Sequence, residues 1–374
     1  MQATVLQESL NKGLAIVSKV ITTRGQLPIL ANVHIEARDD GIILTATNLD
    51  MGMRVAIGGK VERAGAITVP ARNLADFIAT LTGETVELSE EMSKLKVKAG
   101  KFGATFAGIA AAEYPTVIAK ETEGTGVKIK LNKQVLQDIA AEVAYASAID
   151  DSRPVLTGVK LCVVGSEMSV TATDGFRMSR KQIPNPKSQI SNELESLILP
   201  ARAIQELARI VGDGRKEEVE MRILPASNQV VFEYDKVELI ARVLEGNFPD
   251  VDRVIPKEEK TVILVDPGAL SQAMKAVAVF ARDSGNIIKL SVVSDKLSVS
   301  AASQQTGESR AEVEVDMEGE DVEIAFNYKF MNDFLSSVGT SKRIKIVLNG
   351  NMVAGLWMIE GDETLTHLIM PIRN

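Results

Sequence analysis

The residues best suited to covalent or metal chemistry are few and scattered. The chain has two histidines, His34 and His367, and one cysteine, Cys162. Each histidine sits in a strand-like run, far in sequence from any second ligand, and reads as a packing or surface residue. Cys162 lies in VKLCVV and reads as a small buried apolar residue. With one cysteine, neither an internal disulfide nor a cysteine metal cage can form. Asp150-Asp151 is an adjacent carboxylate pair in a polar context, which reads as a solvated turn or cap. Walker A, dinucleotide GxGxxG, HExxH and GxSxG signatures are missing. No catalytic residue, metal ligand or cofactor is therefore assigned.

The other chemistry on offer is electrostatic. The net charge of −8 argues against non-specific adhesion to nucleic acid, unless the cations are gathered on one surface. At about 100° per residue, positions seven apart share a helix face. Lys12 and Lys19 lie opposite an apolar stripe of Leu10, Leu14, Val17 and Ile21. Lys275 and Arg282 lie opposite Ala273, Val277 and Phe280. In a second set of helices Arg72 lies opposite Leu74, Phe77, Ile78 and Leu81. Arg202 and Arg209 lie opposite Ile204, Leu207, Ala208 and Val211, and Lys329 lies opposite Met331, Phe334, Leu335 and Val338. Arg72, Arg202 and Lys329 are one position by register, a cation that packing does not require. Such a row suits a polyanion. It also suits an ordinary solvated face, because Asp76, Glu206 and Asp333 follow four residues later and could form i,i+4 pairs. One helix breaks the pattern, with Gln134, Asp138 and Tyr145 on its outer face.

The elements that carry these cations recur. An amphipathic helix begins near Val5, Val135 and Ala269. A strand and turn follow in GIILTATNLDMGM, MSVTATDGFRM and LSVSAASQQTG, whose alternation has the strand period of two. A strand then runs into a second helix in ITVPARNLADFIATL, LILPARAIQELARIV and IAFNYKFMNDFLSSV. Each copy ends on a strand meeting a proline, at Pro115, Pro249 and Pro371. Four landmarks in one order mark three copies of a roughly 125-residue unit. The expected domains are 1–125, 126–252 and 253–374, with linkers near Ala119–Gly126 and Pro256–Lys260. Each unit reads as α+β, with short half-polar strands pairing antiparallel and two helices on one face. No apolar run approaches the ~18–20 residues that cross a membrane. The first residues, MQATVLQESLNKGL, lack a signal-peptide core, so a cytoplasmic location is expected.

At this point the residues resemble a family. GQLPILANVHIEARDDGIILTATNLDMGM is similar to the first-domain segment of bacterial DNA sliding clamps, the beta subunit of the replicative polymerase. So are VPARNLADFI, LTGVKLCVV with TATDGFRMS, EGNFPDVDRVIP and the terminal HLIMPIRN. The ordered set covers all three units. The resemblance implies three tandem clamp domains with sheets outside and two helices per domain inside. Two chains would join head to tail as a homodimeric ring around double-stranded DNA, independent of sequence. Such a protein is a processivity factor without catalysis. Its partners would be polymerase subunits, the clamp loader and repair factors, docked through short peptide motifs. An enzyme with a carboxylate site at Asp150-Asp151 or Asp174, and a repeat scaffold that never binds DNA, are the alternatives.

The resemblance also implies sites. DNA contact falls near Arg24, Arg72, Arg153 and Arg202. Pro154 and Val155 stand where some members carry tyrosines. A partner-peptide pocket matches Leu156, Thr173, Gly175, Phe176, Arg177 and Met178 in the second domain. Pro249, Arg253 and Val254 follow it, and Leu368, Met370, Pro371, Ile372 and Arg373 complete it from the third domain. The pocket is expected to be apolar and rimmed by arginines, suiting an extended peptide with hydrophobic anchors and a polar or acidic residue. Phe176 stands where histidine or tyrosine is common. Ring closure is matched to Ala104 and Phe106 against Val279 and Phe280.

Overall fold

The computed structural model describes residues 1–21, 27–115, 117, 127–150, 152–164, 167–184 and 196–373. Arg24, Asp151 and the expected linker near 119–126 lie outside the described residues. Six α-helices are described, two in each of the three sequence copies. They are α1 (Gln7–Val17), α2 (Ala71–Thr80), α3 (Lys133–Glu142), α4 (Ala201–Gly212), α5 (Pro267–Ala281) and α6 (Tyr328–Val338). No helix among the described residues is long and apolar enough to cross a membrane.

The strands pair antiparallel and gather into two compact units. One is built on Met1–Leu136 and Glu206–Val243, the other on Gln137–Ser188, Asn192–Gln205 and Leu244–Asn374. Each unit holds a nine-stranded sheet that runs from one sequence copy into the next. In the first unit, the strand Val237–Arg242 pairs with Met51–Ile57. In the second, Asp362–Ile369 pairs with Arg177–Pro184 in the same sense. The middle copy thus gives its two halves to different sheets. A five-stranded sheet in the first unit ends on Phe102–Ala107, and a four-stranded sheet in the second ends on Gly307–Glu314.

The chain enters each second-type helix from a strand. Pro70 and Pro200 close the strands that precede α2 and α4. Where the third copy has Asn327, its side chain accepts a hydrogen bond from the Lys329 amide at 2.9 Å, an N-cap in place of the proline. The first helix starts later than its periodicity implies, because Val5 and Leu6 belong to the strand Gln2–Leu6. The apolar stripes face the cores. Leu10, Leu14, Val17, Leu74 and Ile78 are fully buried, and α1 packs on α2. Val277, Met331 and Phe334 are fully buried with Phe326 and Trp357, and α5 packs on α6. Each such leucine or phenylalanine contributes ~1.5–3 kcal/mol by leaving water. In α4 the buried alanine is Ala203, with Ala208 only half-buried. Cys162 is also half-exposed, on the strand Gly158–Val164, and not the buried apolar residue its sequence context implied.

The repeated turn is reproduced bond for bond. Thr47 Oγ1 accepts from the Leu49 amide at 3.0 Å and donates to the Met51 carbonyl at 2.8 Å. Thr173 Oγ1 does the same for Gly175 and Arg177, at 3.0 and 2.6 Å. Asn48 and Asp174 each accept an amide from three residues on. The third turn residue is left-handed in both, Leu49 at φ 80 and Gly175 at φ 91. Glycine holds that conformation at no steric cost, whereas leucine does not.

Candidate functional site

The structure sorts the helix cations from their expected carboxylates. Lys12, Arg72, Arg202, Arg209, Lys275 and Lys329 are exposed on helices whose opposite faces are buried, whereas Lys19 and Arg282, also exposed, lie just past the ends of α1 and α5, which stop sooner than their periodicity implied. Arg72 does face Asp76, but loosely, at 3.9 Å with both side chains over three-quarters exposed. Such a pair contributes a few tenths of a kcal/mol. Glu206 pairs instead with Arg209, and Asp333 with Arg177. The i,i+4 reading therefore describes the first copy, while Glu206 and Asp333 also meet arginines other than the cations four residues before them. Lys12 pairs with Glu8 one turn earlier, at 2.5 Å and largely in solvent.

The exception in α3 has a packing cause. Gln134 is exposed, but Asp138 and Glu142 turn toward Lys181 on the strand Arg177–Pro184, with Asp138 at 4.0 Å. Burial raises the pKa of Glu142 despite that lysine. Tyr145 is not on an outer face either. Its hydroxyl lies 3.1 Å from His367 Nδ1, and burial pushes its pKa up to about 12.

Around the turn at 173–177 several of the residues expected in the pocket come together. Met178 pairs with Leu368 across the strands, and both pack with Val251 and Ala354 as a buried floor. Above it the Met370 amide donates to the Phe176 carbonyl at 2.8 Å. Phe176 is 61% exposed, Val254 45% and Met370 37%, leaving large apolar side chains in solvent around this floor. Arg253 is exposed beside it and pairs with Asp250 at 2.7 Å. Arg153, expected at DNA, donates to the Asp174 carbonyl at 3.3 Å, and its guanidinium lies against Gly175. It thus stands on the turn at 173–177. Leu156 is buried, Pro249 and Arg373 are exposed, and Ile372 donates to the Ala325 carbonyl at 2.8 Å. Sequence reasoning missed Val251, Ala354 and the exposed Met352 and Val353 of the hairpin before it. Two apolar residues inside the turn-rich run NGNMVAG were the available signal.

Arg177 departs most from expectation. It was expected at an arginine rim, yet it is 6% exposed and spends its donors inside the protein. Asp174 is used just as fully. One oxygen accepts the Phe176 and Arg177 amides at 2.8 and 2.9 Å, and the other accepts Arg177 Nε at 3.1 Å. A carboxylate so committed to its own turn is not free to act as a base. Asp150 accepts the Ser152 amide at 3.0 Å, and its hydrogen bonds to Ser152 lower its pKa. Among the described residues no group of three or more metal-binding side chains occurs.

The residues matched to ring closure lie on or beside two open sheet edges. Ala104 and Phe106 are on the edge strand Phe102–Ala107, with the Phe106 ring 5.8 Å from Phe77 in an edge-to-face contact. Val279 is 59% exposed on α5, and Phe280 beside it lies near Gly307, which opens the other edge strand. Among the described strands each of these edges leaves a row of backbone donors and acceptors open.

Comparison with known proteins decides the family. Profiles described as the N-terminal, central and C-terminal domains of the DNA polymerase III beta subunit match residues 1–118, 130–250 and 252–373. The chain belongs to the DNA polymerase III beta subunit family. A beta sliding clamp from Staphylococcus aureus is 30% identical over 384 residues, covering 100% of this chain and 99% of that one. The crystal structure of the DNA polymerase sliding clamp from Bacillus subtilis superposes with a TM-score of 0.91 at 27% identity, over 100% of this chain and 99% of that one. The DNA polymerase III beta subunit of Pseudomonas aeruginosa gives 0.90 at 26%, over 100% of both chains. The beta subunit fold accounts for the three tandem α+β copies, and the family is a non-catalytic subunit of the polymerase holoenzyme.

Proposed function

We propose that two copies of this chain close head to tail into a ring that encircles duplex DNA and holds the replicative polymerase on it. The observation that carries this reading is the exposed cation at Arg72, Arg202 and Lys329, one site in three repeats, on helices whose other faces are buried. An acidic chain with cations set on one kind of element can surround a polyanion and still move along it. Phosphate attraction without base readout gives affinity and no fixed register.

Three clamp domains, near 1–125, 126–252 and 253–374, would then make six units in the ring. The open edges Phe102–Ala107 and Gly307–Glu314 support closure between copies, with Ala104 and Phe106 of one chain against Val279 and Phe280 of the other. Such a heterologous contact closes only when the rotation between copies is a half-turn. The mouth formed by Phe176, Val254 and Met370 supports docking of short peptide segments from the polymerase, the clamp loader and repair factors, in the cytoplasm. Topology tests the reading. Protein loaded on nicked circular DNA should stay bound through gel filtration and be lost once the circle is cut. Equal retention on both forms would sink it.

A further inference from the structure

Beneath the candidate pocket one arginine is held on every side. Arg177 Nε donates to Asp174 at 3.1 Å, Nη1 pairs with Asp333 of α6, and Nη2 donates to the Tyr145 carbonyl at 2.9 Å. The Tyr145 and Phe330 rings lie 5.4 and 4.7 Å from the guanidinium carbon. One cation, two carboxylates and two rings from the second and third repeats thus meet at a residue 6% exposed.

Stability does not require this arrangement. Buried ion pairs are commonly no better than apolar residues of similar volume. The first repeat makes the point within the same chain. Its turn at 47–51 has the same hydrogen bonds, and its strand seam the same closing bond, from the Arg242 amide to the Asp50 carbonyl at 2.9 Å. There Met51 stands at the position of Arg177, 4% exposed. Neither the turn nor the seam needs a guanidinium. What differs is what the turn displays. The first seam presents Asp50 and Arg242 where the second presents Phe176 and Met370.

We propose that Asp333 is a positioning residue for the partner pocket. Through Arg177 it ties the 173–177 turn to α6, and so holds exposed Phe176 in place where its carbonyl takes the Met370 amide. This rests on the reading of that mouth as the partner site. An exposed aromatic that is already fixed loses little freedom when a peptide closes over it. A turn released from α6 would present the competent mouth for only part of the time, and apparent affinity falls with that fraction.

The test is binding kinetics of the full-length chain with a fluorescein-labelled pentapeptide carrying leucine and phenylalanine anchors around one aspartate. Asp333→Asn removes the charge and keeps the size. Arg177→Met copies the first repeat and guards against a variant that simply unfolds. Both should slow association about tenfold and leave dissociation within about twofold, with the thermal transition retained. Asp333→Glu should recover much of the rate. Association within about twofold of the parent in both variants, while removal of residues 370–373 abolishes binding, would overturn the proposal and leave the pocket standing. A loss confined to dissociation would also overturn it, by making Asp333 a direct contact. A parent chain that does not bind the peptide, or binding that survives removal of 370–373, would overturn both.

Discussion

Neutralising the three register-equivalent cations separates a DNA-facing row from a solvated face. The change is Arg72→Gln, Arg202→Gln and Lys329→Gln in one chain. Glutamine keeps most of the side-chain length and has good helix propensity. All three positions are exposed and opposite the buried stripes, so no core contact is lost. The Arg72–Asp76 contact at 3.9 Å contributes a few tenths of a kcal/mol at most. Surface substitutions of this kind cost about half a kcal/mol or less each, so the melting temperature should move by no more than a few degrees. Binding should respond very differently. Each phosphate neutralised by a lysine or arginine adds ~0.9 to the slope of log K against log salt on duplex DNA. Three cations per chain in a two-chain ring set an upper bound of ~5 on the fall in that slope. The assay is equilibrium binding to short linear duplex DNA, whose open ends let a ring come and go, across a salt series with parent and variant side by side. A variant slope equal to the parent's, at unchanged melting temperature, would show these cations to be solvated surface.

Two further outcomes are expected. Phe106→Asp should dissociate the dimer by placing an unpaired charge in a closed contact. Within the chain it should cost the edge-to-face pair with Phe77, ~0.5–1.5 kcal/mol, plus about half of the ~1.5–3 kcal/mol of a fully buried ring. Sedimentation at falling concentration checks this, and a dimer that persists at nanomolar protein would count against the edge assignment. His367→Gln should blunt acid sensitivity. Burial, with Arg177 nearby, pushes the His367 pKa down to about 3, and its Nε2 has no partner among the described residues. Below about pH 6.5 the unfolded chain takes up a proton that the native chain refuses, so stability falls as pH drops toward 3. The variant cannot titrate, and should spare ~2 kcal/mol of the parent's decline between pH 6.5 and 5. Parallel denaturation curves for the two proteins at both pH values would show that His367 is not the group responsible.

The fold was legible where periodicity and packing agree. Leu10, Leu14, Val17 and the matching stripes in α2, α4, α5 and α6 follow the helical period because each faces a core. The turn chemistry of Asn48 and Asp174 was legible because their side chains bond their own backbone. What could not be read was the partner of each long charged side chain. Asp333 looks like an i,i+4 mate for Lys329, yet it reaches a residue 156 positions away. Asp138 looks outward, yet it serves Lys181. Helical register fixes the direction in which a side chain leaves its own helix. It carries no information about which strand of another repeat lies there.

The same distinction explains how one repeat can serve three roles. The two nine-stranded sheets follow one plan, and the turns at 47–51 and 173–177 share their hydrogen bonds. Backbone geometry therefore does not distinguish the seams. Side chains at three matching positions do: Leu49, Asp50 and Met51 in one, Gly175, Phe176 and Arg177 in the other. At the first position the strain runs opposite to what stability would select, with leucine in the left-handed region at one seam and glycine at the other. At the third, a methionine is buried at one seam and a guanidinium at the other, where only the guanidinium must find carboxylates to remain. A chain under pressure for stability alone would have kept the methionine at both. The arginine at the second seam marks the place where holding the turn still matters more than holding it cheaply.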